Sequence, residues 1–543
     1  MRRLALLGLL LLGCDGDPVV DAGAPDAGGA DAGDAAIELD AGQPPPFVED
    51  DRWHRQAVFY ELWVRSFQDS DGDGIGDLAG LTSRLDYLAD LGITGIWLMP
   101  IFPSPLADSG YDVADYVDVH PDYGTLADFD ALTEAAHARG LRIYLDLVFN
   151  HTSRAHAWFE ESRTDPTGPR SDWFVWSDTE GLGCEGASGP FGETRWTFDD
   201  VRGQFYFHQF YPAQPDLNFD QPAMRTALLD VARFWLDRGT DGFRLDVPYR
   251  YDEDLPVCVH RPGTFEFLRS LRAVTDERDA AMVGEILASP EELAPYLADD
   301  VLQMGFLLAE SALFSVAANS ENASGLGRAF DELVAATPTG GAFCPVLGNH
   351  DLPRATENVS DDPGALRVMA GTLLTLPGVP FVYYGEELGM RAGAGVIVDG
   401  RDSARTPMQW DATPTAGFTT GAPFLAVAPE HATRNVEVEQ ADPASLLSHY
   451  RRLIALRNAT PALRTGTYQR LASARGQLVY WRRHPDGDRL VVASYARAAT
   501  DVAVSVPWAS AEDEITDAPV GAVTDGVFRG SVPAQTVWVL REP

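Results

Sequence analysis

Arg244 and Asp246 stand two apart at the end of the run Gly242-Phe243-Arg244-Leu245-Asp246-Val247. Residues two apart on a strand share a face. The cation and the carboxylate should therefore project side by side, with the arginine keeping the acid ionised at neutral pH. An ionised carboxylate fixed at a strand end is what a covalent displacement at a sugar acetal needs as nucleophile. A structural ion pair leaves the same trace, so the pair gains chemical meaning only from what stands at other strand ends. Three more apolar runs close on polar tips: Asp146-Leu147-Val148-Phe149-Asn150-His151, Val283-Gly284-Glu285 and Leu347-Gly348-Asn349-His350-Asp351. Packing alone does not explain four such tips.

Strands must carry these tips. Apolar runs at residues 58–67, 93–100, 141–148, 242–247, 281–286, 303–308, 345–351 and 381–386 alternate with helical patterns at 81–91, 125–139, 223–238, 264–275 and 364–376. Eight β-type runs with interposed helices predict an α/β chain folded as a (β/α)8 TIM barrel, whose functional groups gather at the C-terminal strand ends. A doubly wound sheet is the alternative, but no GxGxxG or P-loop sequence follows any run. A long stretch rich in Trp, Gly and Asp, at about 151–222, is read as domain B, inserted after strand 3. Short strand-like runs from about residue 463 predict a C-terminal antiparallel β-sandwich over 463–543, leaving 52–462 for the barrel and its insert.

The 543 residues carry a formal net charge of −40, which argues against nucleic acid as a partner and suits a neutral substrate. Met1-Arg2-Arg3 precedes an apolar run at 4–12 that is too short to span a bilayer and reads as a signal-peptide core. Leu11-Leu12-Gly13-Cys14 resembles the bacterial lipobox, which implies a signal peptide over 1–14, lipidation of Cys14 and an exported lipoprotein at the cell surface or in the periplasm, touching membrane only through that anchor. Residues 15–51 are rich in Asp, Ala, Gly and Pro and contain no Lys or Arg, so they are expected to form a disordered, self-repelling tether. Export permits a disulfide. Cys184 and Cys258 both lie in loop-like sequence and are the favoured pair, while spacing leaves the other pairings with Cys344 open. The chain is expected to be a monomer.

The four polar-tipped segments resemble the signature regions of the α-amylase family of glycoside hydrolases, in order and spacing, from about Val58 into the C-terminal β-domain. The resemblance implies a (β/α)8 barrel with that insert and that β-domain. It implies that Asp246 is the nucleophile, Glu285 the general acid/base and Asp351 the residue that steadies the distorted sugar. It further implies that Arg244 sits beside the nucleophile, that His151 and His350 bind sugar hydroxyls, and that Asp146 supports the cleaved subsite. In those roles Glu285 needs a raised pKa, and two carboxyls about 5–5.5 Å apart give retention by double displacement.

Further matches narrow the group. Ser109-Gly110-Tyr111-Asp112-Val113 is similar to the segment whose tyrosine stacks on the first sugar, so Tyr111 is an expected platform, with Asp108 meeting the non-reducing end. Gln214-Pro215-Asp216-Leu217-Asn218, and the stretch from Arg401 to Trp410 in which Arg405 faces substrate, resemble the oligo-1,6-glucosidase and α-glucosidase subgroup. Asp69-Ser70-Asp71-Gly72-Asp73-Gly74-Ile75-Gly76-Asp77 presents alternating carboxylates around glycine turns, as calcium loops do. By resemblance it binds a structural Ca²⁺ through Asp69, Asp71, Asp73, the Ile75 carbonyl and Asp77; no organic cofactor is implied. Val247 follows the nucleophile, and Pro248-Tyr249-Arg250 stands in place of the Lys-His pair of many endo-acting members, which puts a second calcium in doubt and leans toward α-1,6 bonds. The expected activity is retaining hydrolysis of α-1,4 and/or α-1,6 glucosidic bonds in malto- or isomalto-oligosaccharides and starch-derived glucans. An endo-acting α-amylase and a trehalose-synthase-like transglycosylase are the alternatives.

Overall fold

The computed structural model describes residues 38–39, 46–181, 183–184, 195–393, 400–471, 473–516 and 518–543. Cys14, the signal segment and tether residues 15–37 and 40–45 lie outside the described residues.

Eight parallel strands form the barrel: β1 (Phe59–Leu62), β2 (Gly95–Leu98), β3 (Arg142–Leu147), β4 (Gly242–Leu245), β5 (Ala281–Gly284), β6 (Met304–Phe306), β7 (Ala342–Cys344) and β8 (Phe381–Tyr383). They pair in chain order, and β8 pairs back on β1. Val379 N donates to Phe343 O (3.0 Å) and Phe381 N to Pro345 O (3.2 Å), joining β7 to β8.

Strand alternation organises the interior. Phe59, Trp97, Tyr144, Met304, Phe306 and Phe381 make one buried cluster, with Phe59 stacked on Phe381 at 4.4 Å. Val58, Tyr60, Ile96, Ile143, Phe243 and Met282 belong to the larger core shared with the surrounding helices. Two residues along the inward rows from Phe59, Tyr144 and Gly242 come Glu61, Asp146 and Arg244. The aromatic plug and the charged cluster above it thus occupy the same face of the same strands. Gly242 is required there, because a Cβ would lie 2.4 Å from the Tyr144 ring and 2.2 Å from Ala281 O.

After β3 the inserted segment folds as helix Ala157–Thr164 and a three-stranded antiparallel sheet with Gln204–Phe207 between Trp176–Ser177 and Trp196–Asp199. Cys184 of this insert is bonded to Cys258 in the connection after β4. Cys344 is a buried free thiol on β7. The C-terminal region packs two antiparallel-strand sheets around Val479, Trp481, Leu490, Val502, Val504, Phe528 and Trp538. It is joined to the barrel at helix Pro363–Thr375. Arg457 donates to Leu374 O (2.9 Å), Leu376 O (3.2 Å) and Gly378 O (2.6 Å), and Arg482 donates to Thr375 O (2.8 Å). Two buried cations therefore occupy the negative end of that helix, where unpaired carbonyls collect.

Several boundaries differ from the sequence reading. The seventh strand is Ala342–Cys344, before the expected 345–351: Pro345 has no N–H to donate, and the polar tip beyond it is loop. The first run divides into β1 and the short helix Val64–Phe67, and the pattern at 81–91 becomes Leu78–Ser83 and Leu85–Leu91. Within the expected disordered tether, Glu38–Leu39 pairs parallel with Ala503–Val504 on a sheet edge that offers unpaired backbone groups.

The disulfide spans 74 residues of sequence. Closing a loop of that length restricts the unfolded chain by about 4 kcal/mol in the chain-entropy model. Replacing both Cys184 and Cys258 by Ser is expected to remove about 2–5 kcal/mol of stability, read as a lowered midpoint in denaturant unfolding.

Candidate active site

Arg244 is the hub. It is 1% exposed and projects from β4, opposite Asp146 on β3. Its Nη1 donates to both oxygens of Asp146 (2.8 and 2.9 Å) and to Asp246 Oδ1 (2.8 Å), while its Nη2 donates to Glu285 Oε2. One guanidinium thus holds carboxyls from the ends of β3, β4 and β5. The Trp97 ring lies beneath it, 5.0 Å from its central carbon, and Trp97 Nε1 donates to Asp146.

A second group forms around His350. Its Nδ1 meets Glu61 Oε1 (2.6 Å), its Nε2 meets the Tyr111 hydroxyl (2.8 Å), and Asp351 Oδ2 lies 3.2 Å from Nε2. Tyr111 stacks on the imidazole at 5.3 Å and donates to Asp146 Oδ2 (2.8 Å), linking the two groups. Arg405 Nη2 and Arg401 Nη1 both donate to Asp351 Oδ1 (2.9 and 2.8 Å). The other Nη of Arg401 donates to Asp108 Oδ1 (2.6 Å), and Gln214 bridges Asp108 (3.0 Å) and His151 (3.1 Å).

All ten residues assigned by resemblance to catalysis or substrate therefore lie in one connected network. Arg401, Glu61 and Gln214 belong to it without having been assigned. Glu61 could have been found as the one acid inside the apolar strand FYEL, and Arg401 as the second arginine of the Arg405 segment.

Electrostatics separate the carboxyls. Burial raises Glu285 to about 7, with the Asp246 and Asp351 charges adding to the effect against the pull of Arg244. Burial also raises Asp246 above its ordinary value despite Arg244. The single charge of Arg244 is divided among Asp146, Asp246 and Glu285, so its pull on Asp246 is weaker than a dedicated ion pair would give. Asp351 goes the other way: burial works to raise it, but His350, Arg401 and Arg405 outweigh that and hold it well below the usual carboxylate range. The site thus holds one carboxyl suited to keep a proton near neutrality and one firmly ionised, the division that acid-assisted displacement at an acetal requires.

Asp69, Asp71 and Asp77 bring carboxylate oxygens within 4.8 Å of one another. Hard oxygens from three acids fit a Ca²⁺. Asp73 is not in that group, and its Oδ1 accepts from Ile75 N (2.8 Å). Asp69 is tied to the segment after the barrel by Thr419, and Asp77 caps helix Leu78–Ser83 through Gly80 N (2.7 Å).

The model of the alpha amylase catalytic domain matches residues 61–466. The probable alpha-glucosidase of Rhizobium meliloti is 38% identical over 490 residues, covering 80% of this chain and 88% of its own. The trehalose synthase/amylase TreS of Mycobacterium tuberculosis is 38% identical over 503 residues, covering 83% and 82%. Among solved structures, the alpha-glucosyl transfer enzyme XgtA superposes with a TM-score of 0.81 at 34% identity over 91% of this chain and 100% of its own.

The His350 pair carries a pH signature. Burial alone would lower this imidazole, but Asp351 and Glu61 raise it to about 9. With an unfolded value of about 6.5, its contribution is fully present below that pH and is lost as pH rises through about 9. The stability gap between the unaltered protein and His350→Gln is expected to be about 3 kcal/mol larger at pH 6 than at pH 10, measured by denaturant unfolding.

Proposed function

The chain belongs to the α-amylase family of glycoside hydrolases, and on that footing we propose that it is an exo-acting α-glucosidase or oligo-1,6-glucosidase working with retention. The observation that carries this reading is the single guanidinium of Arg244 between Asp246 and Glu285, with Glu285 near 7 and Asp351 well below its ordinary range. Protonated Glu285 gives its proton to the leaving glycosidic oxygen while ionised Asp246 attacks the anomeric carbon, breaking the C–O bond and forming a glycosyl ester. Glu285, now ionised, takes a proton from water as the water attacks the same carbon and frees Asp246. Asp351, kept ionised, opposes the positive charge that develops on the sugar. The bridge Asp108–Arg401–Asp351 supports exo-action, since it ties a carboxylate meant for the non-reducing end to one at the bond cleaved.

Trehalose formation from maltose is the second reading, favoured by the likeness to TreS over 83% of the chain. It uses the same glycosyl ester but delivers the sugar to glucose in place of water. The proposal extends to a structural Ca²⁺ at Asp69, Asp71 and Asp77, supported by their convergence, and to export as a lipoprotein through Cys14, supported by the lipobox-like sequence.

Purified protein incubated with maltose, isomaltose, maltoheptaose and soluble starch should release glucose alone from the short substrates. A ladder of products from starch would replace this reading by α-amylase, and trehalose from maltose by the second one. Asp246→Asn should abolish turnover without unfolding the chain. Glu285→Gln should cost on the order of 10²–10⁴ in rate with oligosaccharides but far less with an aryl glucoside whose leaving group needs no proton. The kcat of the unaltered protein should fall as pH rises through about 7, because Glu285 then loses its proton. A chelator should lower the thermal midpoint; an unchanged midpoint and no co-purifying metal would remove the calcium from the proposal.

A further inference from the structure

Behind the loop that carries His350 and Asp351 lies a small cavity of about 10 Å³, lined in part by Gly348, Arg354, Thr356, Tyr383, Glu386 and Met390. This is room for one particle the size of a water molecule. Arg354 is 3% exposed. Its Nη1 donates to Tyr384 O (2.7 Å), and its central carbon stands 4.9 Å from the centroids of both the Tyr383 and Tyr384 rings. Its Nε and Nη2 have no hydrogen-bond partner, and it makes no ion pair among the described residues.

A guanidinium cannot shed its charge, and a buried cation without a counter-charge is costly. The carboxyl that lines the cavity does not meet this need. Glu386 makes no ion pair with Arg354 among the described residues and instead accepts from the Tyr450 hydroxyl (2.8 Å); burial, with Glu387 adding to it, outweighs the pull of Arg354 and pushes it up to about 8. Thr356 is committed as well, its hydroxyl donating to Met390 O (2.8 Å). What remains is a one-particle space lined by Tyr383 and by Arg354, two of whose nitrogens are unpaired.

We propose that this cavity binds a single small monovalent anion of halide size, held by the Nε–H and Nη2–H of Arg354. The space is too small for a phosphate or a carboxylate ligand. Gly348 and Arg354 bracket His350 and Asp351 in the chain, so the anion would brace both ends of the loop that presents them. This inference does not depend on which glucoside the protein cleaves.

The test uses bromide. Crystals of the full chain soaked in sodium bromide and measured at the bromine edge should show an anomalous peak within contact distance of Arg354 Nε and Nη2. In solution, replacing gluconate by chloride at constant ionic strength should raise the thermal midpoint saturably, by on the order of 2 °C. Arg354→Gln should abolish that rise, whereas Glu386→Gln, a neutral substitute for a protonated acid, should keep it. Density for water with no anomalous signal at Arg354 would overturn the proposal, as would bromide confined to the protein surface or a midpoint that follows ionic strength alone. Should Arg354→Gln fail to fold, the bromide peak in the unaltered protein decides.

Discussion

One cation divided among three carboxyls sets the chemistry of this molecule. Arg244 is bonded to Asp146, Asp246 and Glu285 at once, so no one of them receives its full field, and burial leaves all three with protons held more tightly than in water. Asp351 is the contrast. It has two arginines and a charged imidazole around it, and its proton is held far more weakly. The order of acidity follows the number of cations available to each carboxyl.

Such a distribution demands rigid placement, since an ångström of slack would let one acid monopolise the guanidinium. The barrel meets that demand by making the charged cluster the upper storey of its own packed core. Phe59, Trp97 and Tyr144 fill the space below, and Glu61, Asp146 and Arg244 continue the same inward rows. The polar partners close the rest: Tyr111 reaches both groups, and Glu61 fixes the imidazole from behind.

Much of this was legible in the sequence, because each polar tip follows an apolar run and local alternation decides which side chains share a face. Arg244, Asp246, Glu285 and Asp351 could be singled out on those grounds. Arg401 and Glu61 escaped because their partners are remote in the chain: Arg401 meets Asp108 across 293 positions, and Glu61 meets His350 across 289. The direction of the Asp246 shift escaped for a related reason, as no local motif tells how many acids one arginine serves.

The arginines at the end of helix Pro363–Thr375 bear on how the chain is divided. Arg482 comes from the C-terminal sheets, and Tyr480 and Tyr495 of the same region bond to Thr375 (2.6 Å) and Thr372 (3.0 Å). That helix connects β7 to β8, where the barrel closes. The catalytic region and the appended sheets therefore share a folding unit. A truncation at the margin of the matched family region would leave the helix carbonyls half-satisfied and the barrel's closing strand unsupported, so the appendage cannot be shed or exchanged as a free-standing module without compensating changes in the helix it caps.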